Sequence, residues 1–79
     1  MKKQLNRLDE DKLELLGTII REIRLQLNLT QKDVSAATGI HINTLSYIEG
    51  GKSCGLKYFL LLSYYYNLKP SEILAVVDL

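Results

Sequence analysis

Leu16, Ile19, Ile20, Ile23 and Leu27 recur at steps of three and four residues, so the spacing predicts an amphipathic helix from about residue 10 to residue 27. Asn28 followed by Leu29 ends it: asparagine tolerates the left-handed backbone that closes a helix, and an apolar residue just after it packs back on the last turn. The same punctuation returns as Gly39 with Ile40 and as Asn67 with Leu68. Thr30 and Asp33 resemble a capping box with a shortened acid, which opens a second helix over 31–38. A third is expected over 42–49, stopped by Gly50 and Gly51, and a fourth over 56–66. Pro70 suits the first turn of a short fifth helix through about residue 76. The expectation is an all-α, compact five-helix bundle forming one domain over 1–79, with residues 1–9 as a flexible N-terminal arm.

Two of these helices carry more than core. With Leu45 at the origin of a helical wheel at about 100° per residue, Thr44, Ile48 and Glu49 fall beside it, and Asn43, Ser46, Tyr47 and Gly50 fall opposite. A solvated helix face is usually rich in Lys and Glu. This one offers an amide and two hydroxyls, groups that both donate and accept hydrogen bonds, as the reading of base edges requires. An ordinary polar surface is the competing reading of that face. The fourth helix, "YFLLLSYYY", is apolar nearly all round. Phe59, Leu62, Ser63 and Tyr66 share the face expected in the core, which leaves Tyr58, Leu61, Tyr64 and Tyr65 as a candidate dimer surface. Within one chain, the segment around Leu5, Leu8 and Leu13 or the tail "AVVDL" is the alternative cover.

Composition narrows the function classes. A chain of 79 residues buries only about 60–65% of its unfolded surface, so the core is modest, yet 47% hydrophobic residues are enough for a globular fold. Ten Lys and Arg against nine Asp and Glu neither demand nor exclude nucleic acid. Lys52 and Lys57 flank the turn after the third helix, where almost no acid lies nearby, and form a candidate phosphate-binding edge. Cys54 and His41 are single, so no metal site, cofactor or internal disulfide is expected. No apolar run approaches the roughly 20 residues that span a bilayer, and acidic residues interrupt the basic N-terminus before any export signal could form. The chain reads as cytoplasmic. With no glycine-rich phosphate loop and no nucleophile beside a base, an enzyme is not expected.

The second and third helices with the tight turn at Gly39 have the layout of a helix-turn-helix. The run "LTQKDVSAATGIHINTLSYIEGGK", residues 29–52, resembles the motif of the phage repressor and Cro class, the XRE-like regulators. Thr30 and Gln31 open the first motif helix, Ser35 is the small residue four positions on, Gly39 makes the turn, and Ile48, Glu49, Gly51 and Lys52 close the recognition helix. The resemblance extends over about 15–75 and implies a lambda-repressor-like fold and double-stranded DNA as partner, in a bacterial or phage setting.

By the same resemblance, Gln31, Ile42, Asn43, Ser46 and Tyr47 are expected at the bases, and Thr30, His41, Thr44, Lys52, Ser53 and Lys57 at phosphates. His41 stands at the N-cap of the recognition helix, so it either caps or touches phosphate. Ile42 either meets a thymine methyl or tucks into the core. Arg24 and Glu49 occupy the places of a structural ion pair, with phosphate as a second option for Arg24. Ser35 replaces the usual alanine, Cys54 and Gly55 replace a proline and a hydroxyl cap, and Tyr66 replaces a leucine, so its hydroxyl needs water or a partner. The family implies a homodimer on a palindromic operator. Minimal regulators of this type include Cro-like proteins, restriction-modification controllers and antitoxins, and they repress or activate. The rival reading is a protein-binding module, such as an antitoxin that masks a toxin through the tyrosine-rich fourth helix.

Overall fold

The computed structural model describes the backbone of residues 5–77 and the side chains of residues 10–77. Five helices follow one another: α1 (Leu5–Gln26), α2 (Gln31–Thr38), α3 (Ile42–Glu49), α4 (Leu56–Tyr65) and α5 (Pro70–Val77). The described residues contain no strand, and the all-α five-helix expectation holds. The first helix starts at Leu5, earlier than the position near residue 10 that the apolar stripe marks, so residues 5–9 of the expected arm are helical. No Gly or Pro interrupts "LNRLDEDKLELL", and helix propensity carries the backbone past the stripe. Residues 1–4, and the side chains of Leu5 and Leu8, lie outside the described residues.

Local hydrogen bonds set the helix ends. Asn28 and Asn67 both take φ of 58°. After Asn28, the Leu29 N–H donates to the Arg24 carbonyl at 3.1 Å and the Asn28 N–H donates to Leu25 at 3.0 Å; Leu68 and Asn67 repeat the pattern on Ser63 and Tyr64. Gly39, at φ 78°, closes α2 with a single bond to the Ser35 carbonyl. Gly50 and Gly51 stop α3 as expected, through a double closure: at Gly51, φ 84°, the Lys52 N–H reaches Tyr47 at 2.9 Å and the Gly51 N–H reaches Ile48 at 3.1 Å. The capping box at Thr30 forms in both directions, at 3.0 and 2.9 Å. The backbone N–H of Thr30, donating to the Asp33 carboxylate, holds that carboxyl below its ordinary value. Glu72 caps α5 by accepting from the Lys69 N–H at 2.8 Å, while Gly55 brings no side chain to the start of α4.

Ile20, Val34, Leu45, Ile48, Leu62 and Val77 form the innermost core, with Leu16, Ile40, Phe59, Tyr66 and Ile73 around them. The α1 helix lies across α3 and α5, α2 packs on α3 and α4, and α4 packs on α5. Leu27 is exposed although the stripe placed it inward, because the helix ends at Gln26 and the chain turns away there. Phe59, Leu62, Ser63 and Tyr66 are buried as the wheel requires. Tyr58, Leu61 and Tyr65 of the candidate dimer surface are half-buried against their own core, and only Tyr64, 86% exposed, stands free of it. The outward apolar stripe is instead Leu56, Leu60 and Tyr64, one residue per turn along α4.

Backbone meets backbone where α1 crosses the end of α3. A Cβ on Gly17 would lie 2.5 Å from the Ile48 carbonyl oxygen, 2.8 Å from the Gly51 nitrogen and 2.9 Å from the Glu49 carbonyl oxygen. In an ordinary helix interior, Gly→Ala gains about 1 kcal/mol from propensity. At this crossing, Gly17→Ala is expected to cost about 1–3 kcal/mol in urea denaturation, because main chain rather than a movable side chain must yield. A stabilised variant would show that the two helices are not in close contact.

Candidate nucleic-acid interface

The α3 helix divides cleanly. Leu45, Ile48 and Glu49 are buried, Thr44 is half-buried, and Asn43, Ser46, Tyr47 and Gly50 are exposed. Ile42, whose side was open, is 39% exposed at the outer rim and belongs to the surface rather than the core. Asn43, Ser46, Tyr47, Gly50 and Lys52 line a shallow depression of about 440 Å³ along this face. His41 caps the helix: its Nδ1 accepts from the Asn43 N–H at 3.1 Å, which leaves Nε2 as the outward nitrogen. Thr30, Lys52, Ser53 and Lys57 are exposed at the margins.

A chain of charge-assisted hydrogen bonds fixes this face. Arg24 of α1 meets Glu49 of α3 fork to fork, with Nε to Oε2 at 2.8 Å and Nη2 to Oε1 at 2.9 Å. Both side chains are buried. The hydrogen bond to Glu49 raises the Arg24 pKa further above its ordinary value. The third nitrogen, Nη1, donates to the Leu29 carbonyl at 2.7 Å. Arg24 is thereby engaged inside the molecule and not presented to a phosphate. Gln31, at the start of α2, donates from Nε2 to Glu49 Oε1 at 3.1 Å and accepts from the Ser46 hydroxyl at 2.9 Å. A carboxylate can only accept, so the amide orientation follows from the network itself. Gln31 was expected at the DNA; its side chain joins α2 to α3 and holds Ser46 on the exposed side of α3.

The profile of the helix-turn-helix family matches residues 20–73, well over half of the chain and all of α2 and α3. The chain belongs to the Cro-type, XRE-like helix-turn-helix family. The α2–α3 pair is therefore the helix-turn-helix of a DNA-binding regulator, and the family is one of regulators rather than enzymes. No curated protein and no solved structure matches the chain. Among the described residues of this helix-turn-helix protein, no helix is long and apolar enough to cross a membrane.

Two residues that shape or border the candidate interface were not foreseen from sequence. Gly17 permits the α1–α3 approach that brings Arg24 to Glu49. Arg21, one turn before Arg24, lines a depression of about 250 Å³ with Gln31, Ser46, Glu49 and Gly50. An i, i+3 pairing of arginines on the side of α1 that faces α3 was the available signal, but it acquires meaning only once the helix crossing is known.

The Tyr66 hydroxyl, expected to find a partner, is buried without a hydrogen bond among the described residues. Burial, with a smaller contribution from the Glu49 carboxylate, pushes this phenol up to about 12. The neutral form is favoured in the folded state, so the folded protein holds this proton after the unfolded chain has released it. Stability should therefore fall as pH rises from the ordinary phenol value of 10.0 toward about 12. Tyr66→Phe should lack that part of the alkaline decline, and at neutral pH it should be at least as stable as the parent, because an unpaired buried hydroxyl costs about 1–3 kcal/mol. Denaturation series at several pH values check this. Parallel alkaline profiles, or a variant weakened at neutral pH, would contradict the assignment.

Proposed function

We propose that the protein is a sequence-specific regulator of transcription that binds double-stranded DNA as a homodimer, with α3 of each copy in successive major grooves of a palindromic operator. The observation that carries this reading is the exposed, uncharged face of Asn43, Ser46 and Tyr47 on a helix whose opposite side is tied to α1 and α2. Asn43 has the donor and acceptor needed for a bidentate contact to adenine, which discriminates by about 1–3 kcal/mol. Tyr47 adds a hydroxyl and a ring, Ile42 meets a thymine methyl, and Ser46 with the free valences of Gln31 completes the base-reading set. Thr30, Thr44, Ser53, the His41 Nε2 and the ammonium groups of Lys52 and Lys57 serve as sequence-blind anchors on the phosphates. Two copies joined so that their α3 helices lie about 34 Å apart would match half-sites one turn apart. The Leu56, Leu60 and Tyr64 stripe supplies apolar surface for such a contact.

That stripe also favours a second reading, in which the protein masks another protein such as a toxin. Salt separates the two, since phosphate contacts weaken steeply as salt rises and an apolar interface does not. Selection of bound duplexes from random DNA should return a palindrome, and Asn43→Ala should relax the preference at one position per half-site. Binding that is undetectable, or indifferent to both sequence and salt, would overturn the proposal.

A further inference from the structure

Arg21 and Arg24 stand one turn apart on α1 and have opposite surroundings. Arg24 is consumed by Glu49 and the Leu29 carbonyl. The Arg21 side chain is 55% exposed, and its ion-pair partner, Glu22, is 4.0 Å away and equally exposed. A solvated pair at that distance contributes little and leaves the guanidinium free to reorient. The depression that Arg21 lines contains one carboxylate, Glu49, whose oxygens already accept from Arg24 twice and from Gln31 once. Arg24 neutralises Glu49, so the depression itself is left with the positive charge of Arg21, offset only by the solvated Glu22 outside it. Ser46 and Gly50 belong both to this depression and to the reading face, so the two are continuous. Gly50 has no side chain to close the passage between them.

We infer that Arg21 is a phosphate clamp on the DNA backbone, set beside the C-terminal half of α3. This rests on the proposal that α3 reads the major groove. With the Asn43 end of α3 inserted, the Ser46 to Gly50 half rises to the groove edge, where the phosphates run. There the guanidinium donates two hydrogen bonds to one phosphodiester, with the Ser46 hydroxyl and the Gln31 amide beside it. Arg21 sets the strength of binding and its register on the duplex, and Asn43 and Tyr47 set the sequence.

The test is fluorescence anisotropy of the full chain on its selected duplex and on a scrambled duplex, between about 50 and about 200 mM salt. Arg21→Gln should weaken binding to both duplexes by a similar factor, roughly five- to tenfold, and make the log–log salt slope shallower by about one, whereas Arg21→Lys should keep the slope. Thermal melting of both variants should match the parent, since Arg21 is exposed. Unchanged affinity and slope in a folded Arg21→Gln variant would overturn the clamp while leaving DNA reading intact. A loss confined to the selected duplex, with the slope unchanged, would also overturn it, in favour of a base contact. A parent chain that binds neither duplex would instead overturn the DNA-binding proposal on which the clamp depends.

Discussion

The buried pair of Arg24 and Glu49 is the constraint that orients α3 against α1 and α2. Two full charges held away from water are tolerated only when each is paired and its remaining hydrogen-bonding capacity is used. Here that requirement recruits three elements. Arg24 spends its fork on Glu49 and its last nitrogen on Leu29, at the turn that leads into α2. Glu49 spends its spare capacity on Gln31, and Gln31 passes the constraint to Ser46 on the outer side of α3. A buried ion pair gives little net stability compared with well-packed apolar residues, but it penalises any arrangement in which the partners separate. It is better suited to fixing an orientation than to holding a fold together.

Orientation is what the proposed recognition helix requires. At eight residues α3 is too short to be stable alone, and its shape is set from outside. Leu45 and Ile48 hold it by packing, His41 and Gly51 fix its two ends, and Gly17 lets α1 come close enough for the ion pair to form. The exposed half is then free to be chosen for recognition, because none of the packing depends on Asn43 or Tyr47. Tyr66 marks the limit of the design. Its ring fills the core beside the pair, and its hydroxyl is carried there without a partner among the described residues.

Local features were legible in the sequence because their physics is local. Caps at Thr30, Asn28, Gly39 and Asn67 are each decided within a few residues, and the two-sidedness of α3 follows from its period alone. The start of α1 was missed because the apolar stripe reports where a helix is buried, not where it begins. The width of the α4 surface was overestimated, since half-burial of Tyr58, Leu61 and Tyr65 depends on neighbours far along the chain. Gly17 and Arg21 were invisible for the same reason: each acquires its role only where α1 crosses α3. Gln31 was placed at the DNA by resemblance, and its bonds to Glu49 and Ser46 emerge only from the tertiary arrangement.

The ion pair is expected to position the proposed reading face rather than to stabilise the fold. A double-mutant cycle with Arg24→Met and Glu49→Leu, read by both urea denaturation and affinity for the selected duplex, tests it most directly. Each single change should be costly, about 3–5 kcal/mol, because it strands a buried charge, whereas the double variant should return to within about 1 kcal/mol of the parent. Its DNA affinity should nevertheless stay low, since Gln31 and Ser46 have lost their anchor. A double variant that binds DNA as tightly as the parent would show that the pair does not position the face.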